Sequence, residues 1–121
     1  MEDKELQSNA LSMLKAIDED RCAEINGREY KITAVTHDKR RKVFAFYSRF
    51  GSDIQRGDFW FLTTPEFADV EKVISNIVTF EGSLLSKLPN HWDEYPEDYL
   101  IFIPSMLGAL SYPFLRGNLG G

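Results

Sequence analysis

The residue pattern predicts a small α+β domain, mostly helical, with an N-terminal β-hairpin packed on helices. Three observations carry this. Asn26-Gly27 lies between two runs in which apolar and polar side chains alternate, the strongest short-range signal for a hairpin. Apolar residues recur at i, i+3, i+4 and i+7 through much of the remaining chain. Two proline–acid pairs, Pro65-Glu66 and Pro96-Glu97, mark helix starts. A length of 121 residues allows one domain over 1–121 and leaves no room for a second independent core.

Leu6, Ala10, Met13, Leu14 and Ile17 form one stripe, which predicts a first helix from about Asp3 to Ile17. Asp18-Glu19-Asp20-Arg21 ends it, with acids at the negative end of the helix dipole. The hairpin runs from Ala23 to Ile32. Asn-Gly suits its turn because both central residues of a type I′ turn need positive φ. Tyr30 and Ile32 give it an apolar face, and since an isolated hairpin is marginal in water that face must pack on helices.

His37 to Phe50 is predicted as a helix capped by Asp38, with Val43, Phe46, Tyr47 and Phe50 on one side. The aromatic content of residues 42–50 also suits a strand, and four basic residues in the first turn oppose the dipole. Gly51 to Gly57 reads as a loop, and Phe59 to Leu62 as a strand or packed extended segment. Thr64, Pro65 and Glu66 open a helix whose buried stripe is Phe67, Val70, Val73, Ile74 and Ile77. Val78-Thr79-Phe80 reads as a short strand before Glu81-Gly82, and Leu84 to Tyr95 as irregular. The final helix starts at Pro96 and is apolar nearly all round, so it belongs in the core or is shared with a partner. Pro104 should kink or split it, Pro113 should end it, and 117–121 should be a disordered tail.

Composition removes several function classes. Fourteen basic residues against 19 acidic ones give a net charge of −5, unsuited to sequence-independent nucleic-acid binding. A single cysteine, Cys22, leaves no internal disulfide and no multi-cysteine metal site, and fits a reducing compartment. No phosphate-binding glycine loop or zinc-helix motif occurs. Cys22, His37 and His91 match no nucleophile motif, and Cys22 reads as a small, partly buried thiol. His91 with Asp93 or Glu94 reads as surface polarity rather than a metal pair. Asp93, Glu94, Glu97 and Asp98 read as a solvated acidic lead-in to a helix rather than a tuned carboxylate pair. Lys39-Arg40-Arg41-Lys42 with Phe44, Phe46 and Tyr47 has the ingredients for phosphate and base contacts. The net acidity favours a charged outer face over an aromatic core face. No catalytic role, cofactor or metal is expected.

Met1-Glu2-Asp3-Lys4-Glu5 is charged, and no targeting signal is expected there. Tyr99 to Leu115 carries no charge, but it falls short of the roughly 20 apolar residues of a membrane span and is broken by Pro104, Gly108 and Pro113. A buried or partner-facing helix is expected, not a membrane helix. Trp92, Tyr95, Tyr99, Phe102, Met106, Tyr112 and Phe114 crowd into this part of the chain. Aromatic and apolar residues at this density fill either a core or the centre of an interface, and these seven are the candidates for binding a partner.

The order of these motifs resembles the tail assembly chaperones of long-tailed bacteriophages. The likeness rests on Asn26 to Ile32, Val78 to Gly82, His91-Trp92-Asp93-Glu94-Tyr95-Pro96-Glu97-Asp98-Tyr99 and Ser111-Tyr112-Pro113-Phe114-Leu115. It implies a small, mostly helical protein of the infected host's cytoplasm, absent from the finished virion. Such a protein coats the tape measure protein and keeps it soluble until tail tube subunits replace it. A longer form made by ribosomal frameshift would recruit the major tail protein, and homo-oligomers are possible. A competing reading is a small regulatory or inhibitor protein that binds one host protein through the same aromatic patch.

Overall fold

The computed structural model describes residues 12–119, with side chains through Leu115. Residues 3–11 of the expected first helix lie outside the described residues. Helix α1 covers 12–20 and so continues past Ile17 through the acidic run. It ends at Arg21, whose φ of 56° reverses the chain while its N–H still donates to the Ile17 carbonyl at 2.8 Å. The hairpin forms as its sequence requires. Strands β1 (Cys22–Ile25) and β2 (Arg28–Ile32) are antiparallel, with Ile25 opposite Arg28. Asn26 and Gly27 both have positive φ, 53° and 80°.

The hairpin is half of a larger sheet. Strand β3 (Val78–Phe80) pairs antiparallel with β2, placing Tyr30 opposite Phe80 and Ile32 opposite Val78. A second tight turn at Glu81-Gly82, again with both φ values positive, leads into β4 (Ser83–Leu84). The four strands follow chain order, β1-β2-β3-β4. Two short hairpins are thus joined edge to edge across a helical insertion.

That insertion holds α2 (His37–Gln55) and α3 (Pro65–Ser75). The helix expected at 37–50 is present but longer, and it differs at both ends. Thr36, not Asp38, caps it: the Thr36 hydroxyl accepts from the Lys39 N–H at 3.3 Å, and Asp38 sits in the first turn. Asp38 pairs with Arg41 at 2.6 Å and Lys42 at 3.5 Å, so much of the basic run is neutralised where it opposes the dipole. The segment read as a loop, Gly51 to Gly57, is helical as far as Gln55, because buried Ile54 extends the stripe of Val43, Phe46 and Phe50 by one turn. Gly57, with φ of 74°, makes the reversal.

Phe59 to Leu62 is not a strand: Trp60–Thr63 forms a 3-10 turn that buries Phe61. Thr64 caps α3 as expected, accepting from the Phe67 N–H at 3.2 Å with Pro65 in the first turn. Leu84 to Tyr95, expected to be irregular, contains a 3-10 turn at Leu85–Lys87 and a one-turn helix α4 (His91–Glu94).

Helix α5 (Pro96–Leu119) runs unbroken through Pro104 and Pro113, so neither proline splits or ends it and 117–119 are still helical. Residues 120 and 121 lie outside the described residues. Proline removes the hydrogen bond to the carbonyl four residues earlier. For Pro104 that residue is Leu100, on the solvent side of the helix. Beside the Pro113 break, Arg40 donates to the Leu110 carbonyl at 3.2 Å while pairing with Asp18 at 3.0 Å. The core lies between the sheet and helices α2, α3 and α5, and α5 supplies Phe102, Ile103, Met106, Leu107 and Leu110 to it. The stretch Pro96–Leu115 is long and apolar enough to cross a membrane by composition, and half of it is buried within the domain.

Helix α1 crosses α5 at Gly108, where an added Cβ would lie 2.7 Å from Leu14 Cδ2. Those atoms are the far end of a flexible, half-buried side chain that can swing aside, so Gly108→Ala is expected to shift stability in urea unfolding by less than about 1 kcal/mol. In a Leu14→Ala background, with the contact gone, the same change should stabilise by up to about 1 kcal/mol.

Candidate functional site

The corner where the first hairpin meets α5 is organised by charge. Positions 28, 30 and 32 of β2 share one face. Arg28 and Tyr30 on that face, with Asn26 from the turn, point at the first turn of α5, where Asp98 is fully buried. Four donors satisfy this carboxylate. Oδ1 accepts from Asn26 Nδ2 at 2.7 Å and Arg28 Nη2 at 2.9 Å; Oδ2 accepts from Arg28 Nε and the Tyr30 hydroxyl, both at 2.7 Å. Arg28 also reaches Glu97 at 2.5 Å, and its guanidinium lies 4.3 Å from the centre of the Tyr95 ring.

These bonds, Arg28's above all, lower the Asp98 pKa to about 2 despite burial. The Tyr30 hydroxyl is pushed above its ordinary range, by burial first and then by Asp98. Its single proton goes to Asp98, so the 2.8 Å contact to His91 requires that His91 Nε2 carry a proton and donate. Burial lowers the His91 pKa, which keeps that ring neutral.

Around this charge lies a plate of rings. Tyr30 contacts Phe80, His91, Trp92 and Phe102 at centroid separations of 5.2–6.1 Å. Trp92 stands edge-on to Tyr99 at 5.1 Å, and the Tyr99 hydroxyl donates to Glu71 on α3. Burial, followed by Glu71, raises the Tyr99 pKa.

This arrangement sorts the seven predicted partner-binding residues. Trp92, Tyr95 and Tyr99 come together here, half-buried, with one edge facing outward. Phe102 and Met106 are sealed in the core, on the inner face of α5. Phe114 stacks on Phe44 of α2 at 4.9 Å, away from the plate, and Tyr112 is half-buried nearby on the same helix. Asp98 and His91, expected at the surface, are buried polar groups.

Four large exposed apolar residues were not among the candidates: Met13 on α1 at 57%, Trp60 at 52%, and Leu100 and Ile101 on the outer face of α5, each 47% exposed. The signal for the α5 pair was its helical phase, since the core positions 99, 102, 103 and 106 leave 100 and 101 on the far side. For Trp60 there was no periodic signal in a 3-10 turn.

Chemically, Tyr30, His91 and Asp98 form a charge-and-hydrogen-bond lock, closed to solvent. Cys22 is partly buried, and burial together with the Glu29 carboxylate, 3.1 Å from Sγ, raises its pKa and disfavours the reactive thiolate. Among the described residues no three His, Cys, Asp or Glu side chains cluster as metal ligands. Comparisons with protein-family models, with curated proteins and with solved structures found no match.

Two outcomes are expected. Asp98→Ala strands the buried Tyr30 hydroxyl and unpairs Arg28, and should cost about 3–5 kcal/mol in chemical denaturation. The pH dependence has two limbs. His91 is harder to protonate folded than unfolded, so stability should be full above about pH 6.5 and decline below it, and His91→Gln should flatten that decline. Asp98 has the lower pKa in the folded state. Its contribution should persist above about pH 4 and vanish as pH falls toward 2.

Proposed function

We propose that this chain is a tail assembly chaperone of a long-tailed bacteriophage. It acts in the host cytoplasm by covering apolar stripes of the tape measure protein, carries no catalytic chemistry and leaves before the virion is complete. A frameshifted longer form would bring the major tail protein to the same complex. The observation that carries the reading is the outer face of α5. Leu100 and Ile101 are each 47% exposed on a helix whose other side is anchored in the core. A rigid apolar ridge of this kind suits recognition of a partner helix. The net charge of −5 suits a protein that must keep a greasy partner dispersed. Reversible coating also favours modest contacts summed over many copies.

Co-expression with a tape measure protein should yield a soluble complex. Burying each of these side chains is worth about 1.5–3 kcal/mol. Leu100→Asp with Ile101→Asp should therefore keep the fold, by circular dichroism, and lower recovery of the complex at least about tenfold. Unchanged recovery would reject this surface. A fixed-ratio complex with one host protein, and none with the tape measure protein, would favour the regulatory reading.

A further inference from the structure

A second surface lies between α2 and α3, away from the α5 ridge. The two helices enclose a groove of about 600 Å³, floored by edges of Phe46, Phe50 and Val70. Exposed Trp60 packs edge-on against Phe50 of the floor, with centroids 5.3 Å apart. The walls differ in sign. The α2 wall carries Lys42 and Arg49, and the α3 wall carries Glu66 and Asp69, all four exposed. The one ion pair across the groove, Arg49 to Glu66, is long at 3.9 Å; Lys42 is held by Asp38 of its own helix at 3.5 Å, in an exposed pair open to exchange, and Asp69 has no ion-pair partner among the described residues.

A basic wall facing an acidic wall is complementary to a second copy of itself under one symmetry. A twofold axis running along the groove sets the α2 wall of one copy against the α3 wall of the other, basic on acidic along both edges. A twofold axis across the groove sets like charge on like charge and is disfavoured. We infer that the chain forms an isologous homodimer through this groove, with the axis parallel to it and the two Trp60 rings contributing apolar cover. Such a dimer brings together four helices, two from each copy, around an apolar centre. It leaves the α5 ridge free, so this inference and the chaperone reading can fail separately.

Sedimentation equilibrium on the purified full chain tests it. The unaltered chain should show a mass twice that of the monomer and dissociate more readily as salt is raised, since screening weakens the wall-to-wall attraction. Lys42→Glu with Arg49→Glu makes both walls acidic, and Glu66→Lys with Asp69→Lys makes both basic. These positions are exposed, so both variants should fold, checked by circular dichroism. Each alone should be monomeric, and an equimolar mixture should recover the doubled mass as a heterodimer. A chain that stays monomeric at every accessible concentration would overturn the proposal. So would a dimer that both charge variants leave intact, or variants that fail to pair when mixed.

Discussion

Everything at the hairpin–helix corner hangs on one buried carboxylate. An isolated charge in a protein interior costs several kcal/mol, and Asp98 is tolerated there only because four donors from a single hairpin converge on it. Those donors come from the turn (Asn26) and alternate positions of β2 (Arg28, Tyr30), so the carboxylate reads the register of the hairpin as well as its presence. The same bonds set the rotation of α5 about its axis. With Asp98 turned toward β2, steps of about 100° place Phe102 close to the same direction, in the core, and Leu100 nearly opposite, in solvent. Ile101 lies only about 60° from Asp98, so its exposure is set by the absence, among the described residues, of a covering element on that side and not by the charge.

The sheet explains why the corner is stiff enough for this. Neither hairpin would persist alone, since two short strands bury too little. Pairing β2 with β3 makes a four-stranded sheet from two local units, and Thr33 adds a further clamp, its N–H and hydroxyl both donating to the Ile77 carbonyl at 2.7 and 2.8 Å. The central pair places Tyr30 against Phe80, so the ring that donates to Asp98 is also packed by the neighbouring strand. Charge satisfaction and aromatic packing reinforce each other at one side chain.

The two outward surfaces differ in character. The α5 ridge is apolar and flanked by acids, Glu97 among them, which suits cover for a hydrophobic partner kept in solution. The α2–α3 groove is amphiphilic and divided by sign, which favours pairing in one orientation over affinity for apolar surface in general. One face for a partner and another for a sister copy would let many small domains line a long helix with individually modest contacts.

The amino-acid sequence by itself determined the local elements. Asn26-Gly27 imposed its turn through positive φ, Thr64-Pro65 started α3 with a cap and a preset dihedral, and the helical phases of α2 and α3 named most of their buried residues. Other features were decided by contacts far apart in the chain. Gly51 to Gln55 is helical because Ile54 finds a core to enter, and Pro104 and Pro113 are carried within α5 because its inner face, from Phe102 to Leu110, is packed in the core. Val78 to Phe80 gains its meaning only as the partner of β2. The candidate site followed the same division: the aromatic density near the C-terminus was legible, but which rings face inward was not. That depended on Asp98, an ordinary acid at a helix start by sequence, which becomes the centre of the fold only when a hairpin some seventy residues earlier is laid over it.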